Sequence, residues 1–167
     1  MRKLSLPALV LAACQTISTP LTETESIPTP YTCTFTTINN IALPPGKQYD
    51  HLGREIVFED VEWAERLAQA GYYPSSGQPV ISYRPEGMQK HSPEFQAFVF
   101  YHEIGHLKRN YLHNPKGELE KEANCYAIDY FENILNCSPE QMRLIHDESK
   151  RYWFPDEVPG FKECLGK

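Results

Sequence analysis

No run of Lys or Arg in this chain exceeds two residues, and no uncharged apolar stretch reaches eighteen. The first absence, in a chain of net charge −6, removes the positive footprint that DNA or RNA binding requires. The second removes a conventional transmembrane helix. Internal repeats and a second shift of composition are missing too, which points to a single domain. What is present is a 167-residue chain with 41% hydrophobic residues, enough apolar material for one core-forming domain and too little for two comfortable ones.

The first residues have the form of an export signal. Arg2 and Lys3 precede an apolar stretch from Leu4 to Leu11, and small Ala12 and Ala13 precede Cys14. Residues 1–13 are therefore expected to be a signal peptide. Leu11-Ala12-Ala13-Cys14 resembles the bacterial lipobox, which makes Cys14 the expected site of lipidation; the alternative is a plain signal peptide cut after Ala13. Residues 14–31 are rich in Thr, Ser and Pro with almost nothing to bury, the composition of a tether. Its coil span of roughly 20–25 Å would hold a domain just off a membrane surface.

Four cysteines remain, Cys33, Cys125, Cys137 and Cys164, an even number in an exported chain, which favours two disulfides. Cys125 and Cys137 fall at the middle and end of one expected helix, about 18 Å apart at 1.5 Å per residue, beyond bridging range. Each should pair with Cys33 or Cys164, in either order.

Residues 32–167 read as one α+β domain. Thr32 to Ile38 alternates and is Thr-rich, Arg54 to Phe58 is a second strand candidate, and Val80 to Tyr83 a third that ends at Pro85. Between them Asp60 is placed to cap a helix through Ala70, with Val61, Ala64, Leu67 and Ala68 at helical spacing and Gly71 to stop it. Ser92-Pro93-Glu94 starts another helix, and Ser138-Pro139-Glu140-Gln141 the last, with Met142, Leu144 and Ile145 directed inward.

The helix after Ser92 is apolar almost all round from Phe95 to Leu107, so it should be buried. Into it are set His102, Glu103 and His106. His102 and His106 are one turn apart on one face, so both imidazoles can point at one ion, and Glu103 stands beside them where it can reach a water on that ion. This is the HExxH pattern of zinc hydrolases. Such a centre needs a third protein ligand and an open fourth position. The helix downstream, Glu118 to Phe131, directs Leu119, Ala123, Tyr126, Ala127, Tyr130 and Ile134 inward. At 100° per residue Glu120 lies beside that face, whereas Glu118, Glu122 and Asp129 fall on the solvated side. Glu120 is thus the expected third ligand. Small Ala123 and Ala127 allow close approach of the two helices, and Asn124 is placed to hydrogen-bond a ligating imidazole.

His102-Glu103-x-x-His106 followed by Glu120-x-x-Ala123-Asn124 resembles the HExxH…ExxA(D/N) arrangement of the gluzincin metallopeptidases, both the membrane-associated members and the ImmA/IrrE-like ones. The former usually carry Asp where Asn124 stands; Asn fits the latter, which are generally intracellular. The resemblance covers roughly residues 95–131. It implies a zincin-like fold in which an edge strand above the active-site helix binds an extended substrate, with Val80 to Tyr83 in the place in sequence for that strand.

The expected activity is zinc-dependent hydrolysis of peptide bonds, with Glu103 as the base, by a domain tethered on the periplasmic side of a bacterial membrane. The alternative is a non-catalytic envelope protein whose metal is structural or absent and which serves as a binding module. Expected partners are a peptide or protein substrate, the membrane through a lipid on Cys14, and no nucleic acid; the acidic balance favours neutral or basic substrates. His113 reads as solvated, His146 and Tyr152 as packing or surface residues rather than donors to the site, and Trp63 and Trp153 as core or interface anchors.

Overall fold

The computed structural model describes residues 33–109, 118–152 and 164. The expected signal peptide, the tether with Cys14, His113 and Trp153 lie outside these residues. The described chain is α+β, and none of its helices is long and apolar enough to cross a membrane. Strands β1 (Thr37–Ile38) and β2 (Ile41–Ala42) form a hairpin through Asn39 and Asn40, both at positive φ, a conformation that asparagine tolerates. Strands β3 (Val57–Asp60), β4 (Ala68–Tyr72) and β5 (Pro79–Tyr83) form a second sheet in the order β3-β5-β4, with β3 parallel and β4 antiparallel to β5. Among the described residues four helices follow: α1 (Pro85–Met88), α2 (Pro93–Arg109), α3 (Glu118–Asn133) and α4 (Pro139–Tyr152).

Helix α2 is the axis of the domain. Every residue from Phe95 to Leu107 is buried, because α2 has neighbours on all sides. Phe58 and Tyr83 of the sheet meet Phe100 edge-on at 5.6 and 5.2 Å, Phe131 of α3 meets Phe98 and Tyr101, and α4 adds buried Met142 and Ile145. Ser92 Oγ accepts the Phe95 amide at 3.2 Å and so caps α2. At the other end His51 donates its amide to Leu107 O at 3.2 Å and sets Nδ1 3.0 Å from the same oxygen, closing the C-terminus. Helix α4 opens with a reciprocal capping box: Gln141 donates its amide to Ser138 Oγ, and Gln141 Oε1 accepts the Ser138 amide.

The helix expected from Asp60 to Ala70 is not formed. Val61, Ala64, Leu67 and Ala68 are buried, as their spacing required, but in a bent segment that leads into strand β4. The Val61 amide donates to Tyr83 O and the Arg84 amide to Leu67 O, so pairing with β5 overrides the local helix pattern. β5 is in turn not an edge strand, since β3 and β4 occupy both its sides. The edge strand facing α2 is β4. Trp63, on the same bend, is 73% exposed and belongs to no core. Ile134 lies past the end of α3 and Leu144 one residue out of the Gln141-Ile145-Ser149 stripe, and both are exposed rather than inward.

The cysteines pair as Cys33–Cys137 and Cys125–Cys164. The first ties the start of the described chain to the α3–α4 junction, where Gln141 also holds both the amide and the carbonyl of Cys33.

Candidate metal centre

The site stands where α2 and α3 cross. Gly105 makes the crossing possible: a Cβ there would lie 3.0 Å from Ala123 Cα and 3.2 Å from both Ala123 O and Tyr126 Cβ. The close approach brings Glu120, one turn before Ala123 on α3, against the two histidines of α2. His102 Nε2 lies 3.1 Å from Glu120 Oε2, His106 Nε2 3.6 Å from the same oxygen, and the two Nε2 atoms 3.1 Å from each other.

His102 Nδ1 is 2.8 Å from Asn124 Oδ1. With a carbonyl oxygen as acceptor the proton sits on Nδ1, and the Nε2 lone pair is aimed at His106 and Glu120. Two ring nitrogens and a carboxylate oxygen so close together demand a positive charge between them, either a proton or a metal ion. Three ligands in a zinc tetrahedron stand about 3.3–3.4 Å apart, which the edges of 3.1, 3.1 and 3.6 Å match. His102, His106 and Glu120 could therefore hold a metal ion.

The electrostatics agree. The imidazoles of His102 and His106 hold the Glu120 carboxyl far below the usual carboxylate range, against the upward pull of its burial. Burial lowers the His106 pKa, but the carboxylates of Glu120 and Glu103 outweigh it and the net shift is upward, with the Arg66 guanidinium opposing.

Glu103 is buried beside this cluster, and its Oε2 accepts the Ala70 amide of β4 at 2.8 Å. In the β4–β5 ladder Gln69 and Gly71 pair with β5, so the backbone groups of Ala68, Ala70 and Tyr72 face the free edge. One of these amides is used to hold the carboxylate.

Comparison with family models, curated proteins and solved structures finds no match for this chain. Its chemistry rests on the arrangement itself.

The structure thus brings His102, His106, Glu120, Glu103 and Asn124 together. Glu122 stays out of the cluster and stands 3.6 Å from Arg109 at its surface; Asp129 is exposed, and the side chain of Glu118 lies outside the description. Tyr152 packs on His91 and Phe95 at the N-terminal end of α2, away from the cluster. Ala70 and Gly105 are additions to the site as read from sequence. A glycine in mid-helix among apolar residues is a signal of close backbone approach. A backbone amide such as that of Ala70 leaves no mark on the sequence.

Proposed function

We propose that this chain is a zinc-dependent peptidase of zincin-like architecture, held at a bacterial envelope membrane by a lipid on Cys14. The observation that carries the reading is the placement of Glu103: a buried carboxylate beside a three-ligand cluster, held by the amide of an edge strand. Zinc bound by neutral His102 and His106 and ionised Glu120 would supply Lewis acidity, bringing the pKa of a water toward ~7 and polarising a substrate carbonyl.

The protein's own groups do the rest. Ala70 fixes one oxygen of Glu103 and leaves the other for the attacking water, whose proton Glu103 takes as the new C–O bond forms. The same carboxyl then gives that proton to the departing amine as the C–N bond breaks. An extended peptide can add to the free edge of β4 through its main chain, which presents its carbonyls to the site whatever its side chains. Among the described residues all four cysteines are spent in disulfides, so none offers a thiolate to close the fourth position of a structural site.

The test is zinc content together with cleavage of a mixed peptide library. About one equivalent of zinc and zinc-dependent cleavage are expected; less than about a tenth of an equivalent after zinc is supplied overturns the metalloenzyme reading. For the anchor, mass spectrometry of the mature N-terminus should find a diacylglyceryl-modified Cys14, and Cys14→Ser should release the domain from membranes.

A further inference from the structure

An open cavity of about 470 Å³ lies between the residues that lead into α2, Lys90 to Ser92, and the exposed side of α4. Its floor is fixed by one carboxylate. Glu148 Oε2 accepts the Ser92 hydroxyl at 2.6 Å, and Oε1 accepts the Ser92 amide at 3.2 Å and stands 2.8 Å from His91 Nδ1. Glu148 is thus the anion that compensates the start of α2.

The cations around the cavity have no such partner. Lys90 and Arg151 line it, and Lys150 stands beside Arg151 on the last turn of α4. All three are exposed, and among the described residues none of their side chains makes a hydrogen bond or ion pair. The neighbouring acids are engaged: Glu148 as above, Glu140 with Arg143 at 3.1 Å, and Asp147, also on the cavity wall, 3.5 Å from His146 Nδ1. Leu144 and Tyr152 complete the wall and are exposed as well. Unpaired Lys and Arg around an exposed leucine and tyrosine suit a lipid–water interface, where phosphates meet the cations and the tyrosine ring lies at headgroup depth.

The tether expected over residues 14–31 leads to this side of the domain. It enters the fold at Cys33, whose amide and carbonyl are both held by Gln141 in the first turn of α4. Leu144 and Arg151 lie three and ten residues farther along α4, about 5 and 15 Å at 1.5 Å per residue, within the tether's own span of roughly 20–25 Å. We propose that the cavity and the α4 face around it dock on the surface of an anionic bilayer, with lipid phosphates against Lys90 and Arg151 and with Leu144 and Tyr152 among the headgroups. The proposal rests on the lipid-anchor reading for its membrane and is independent of the peptidase reading. His102 and His106 stand ten and fourteen residues past Ser92, about 15 and 21 Å along α2, so docking would hold the metal centre close to the bilayer. A chain of net charge −6 is repelled by anionic lipid at long range, so contact should be weak until the tether raises the local concentration.

The test uses the mature chain from residue 14 with Cys14→Ser, which neither a signal peptide nor a lipid can hold on a membrane. It is sedimented with vesicles of phosphatidylglycerol and phosphatidylcholine in equal parts, and with vesicles of phosphatidylcholine alone. Weak binding to the anionic vesicles is expected at about 0.05 M salt and none at about 0.5 M, so that washing still frees the protein from membranes. Each Lys or Arg at an anionic surface strengthens binding about fivefold, so Lys90→Gln with Arg151→Gln should weaken it about 10- to 30-fold. Both side chains are exposed, so the circular dichroism spectrum should not change. Arg109→Gln, at the other end of α2, should bind as the parent does, within about twofold.

Binding to neither vesicle, or equal binding to both, overturns the docking surface; the anchor is decided separately by mass spectrometry of the natural N-terminus. An undiminished affinity in the Lys90/Arg151 variant, or an equal loss in Arg109→Gln, puts the contact on another face and overturns the assignment. Calorimetric binding of inorganic phosphate without binding of vesicles would give the cavity to a soluble anion, and a dimer that dissociates on Leu144→Ser would give the face to a second copy; either result overturns the proposal.

Discussion

A Cβ added at Gly105 would lie 3.0 Å from the Cα of Ala123, so helix α2 and the helix that carries Glu120 touch backbone to backbone. Gly105→Ala must push α3 away by a few tenths of an ångström, since the atoms in the way belong to main chain and Cβ rather than to a flexible tip. We expect a stability loss of about 1–3 kcal/mol in urea unfolding of the metal-free protein, and weaker zinc binding as Glu120 is drawn off the histidines. Unchanged zinc affinity in this variant would show that the crossing distance does not set the ligand geometry.

Glu103, Glu120 and Glu122 differ in what they touch, and so should their variants. Glu120→Ala removes the anion from the cluster and should lose both zinc and activity. Glu103→Gln should keep about one zinc while turnover falls about 10²–10⁴-fold, the worth of a positioned base. Among the described residues Glu122→Ala breaks only a 3.6 Å pairing with Arg109, and it should leave zinc content and turnover unchanged. Loss of metal from Glu122→Ala with retention in Glu120→Ala would reassign the third ligand.

Asn124 holds the His102 imidazole at 2.8 Å and through it would act on a bound metal. Asn124→Ala frees the imidazole to rotate and change tautomer, and should weaken zinc binding about 10- to 100-fold in competition with a chelator. Asn124→Asp keeps an acceptor in the same place and should bind zinc at least as tightly as the wild type. Equal losses in the two variants would mean that the side chain matters for packing alone.

The two long helices and the cluster between them were legible because their signals are periodic: apolar residues all round α2, an i, i+4 histidine pair, and a glutamate beside the inward face of α3. The edge strand was not. Val61, Ala64, Leu67 and Ala68 satisfy a helical spacing, and alanine favours helix, so nothing local opposed that reading. The strand exists because β5 offers it a ladder, a non-local fact. The same error gave the expected edge-strand position to Val80–Tyr83, whose apolar run signals a strand paired on both sides rather than an edge. Backbone contributions are the other blind spot: the Ala70 amide that holds Glu103 depends on which way a strand faces.

Removing the disulfides should cost stability unequally. Cys33–Cys137 joins residues 104 apart in sequence and Cys125–Cys164 residues 39 apart, so in the chain-entropy account the first restrains the unfolded chain more, by about 1 kcal/mol. Each paired Cys→Ala variant should lose about 2–5 kcal/mol in urea unfolding, the Cys33/Cys137 pair more. The reverse order would show that the shorter loop does more for the native state than for the unfolded one.

The last expectation concerns pH. In the metal-free protein His106 is raised above its ordinary 6.5, so its contribution to stability is complete below about pH 6.5 and is lost as pH rises through the folded value. Glu120 is lowered from 4.5, so its contribution is present above about pH 4.5 and is lost as pH falls. The pair therefore stabilises the metal-free domain most between these limits. Zinc needs His106 without its proton, so binding must release that proton wherever the metal-free protein holds it. Zinc affinity should rise with pH above 6.5, by up to about tenfold per unit for one proton, until the folded value of His106 is passed. Calorimetric titration with zinc at pH 6.5, in two buffers of different ionisation enthalpy, should find more than about half a proton released, because His106 is raised above that pH. No release would mean that His106 is already neutral in the metal-free protein.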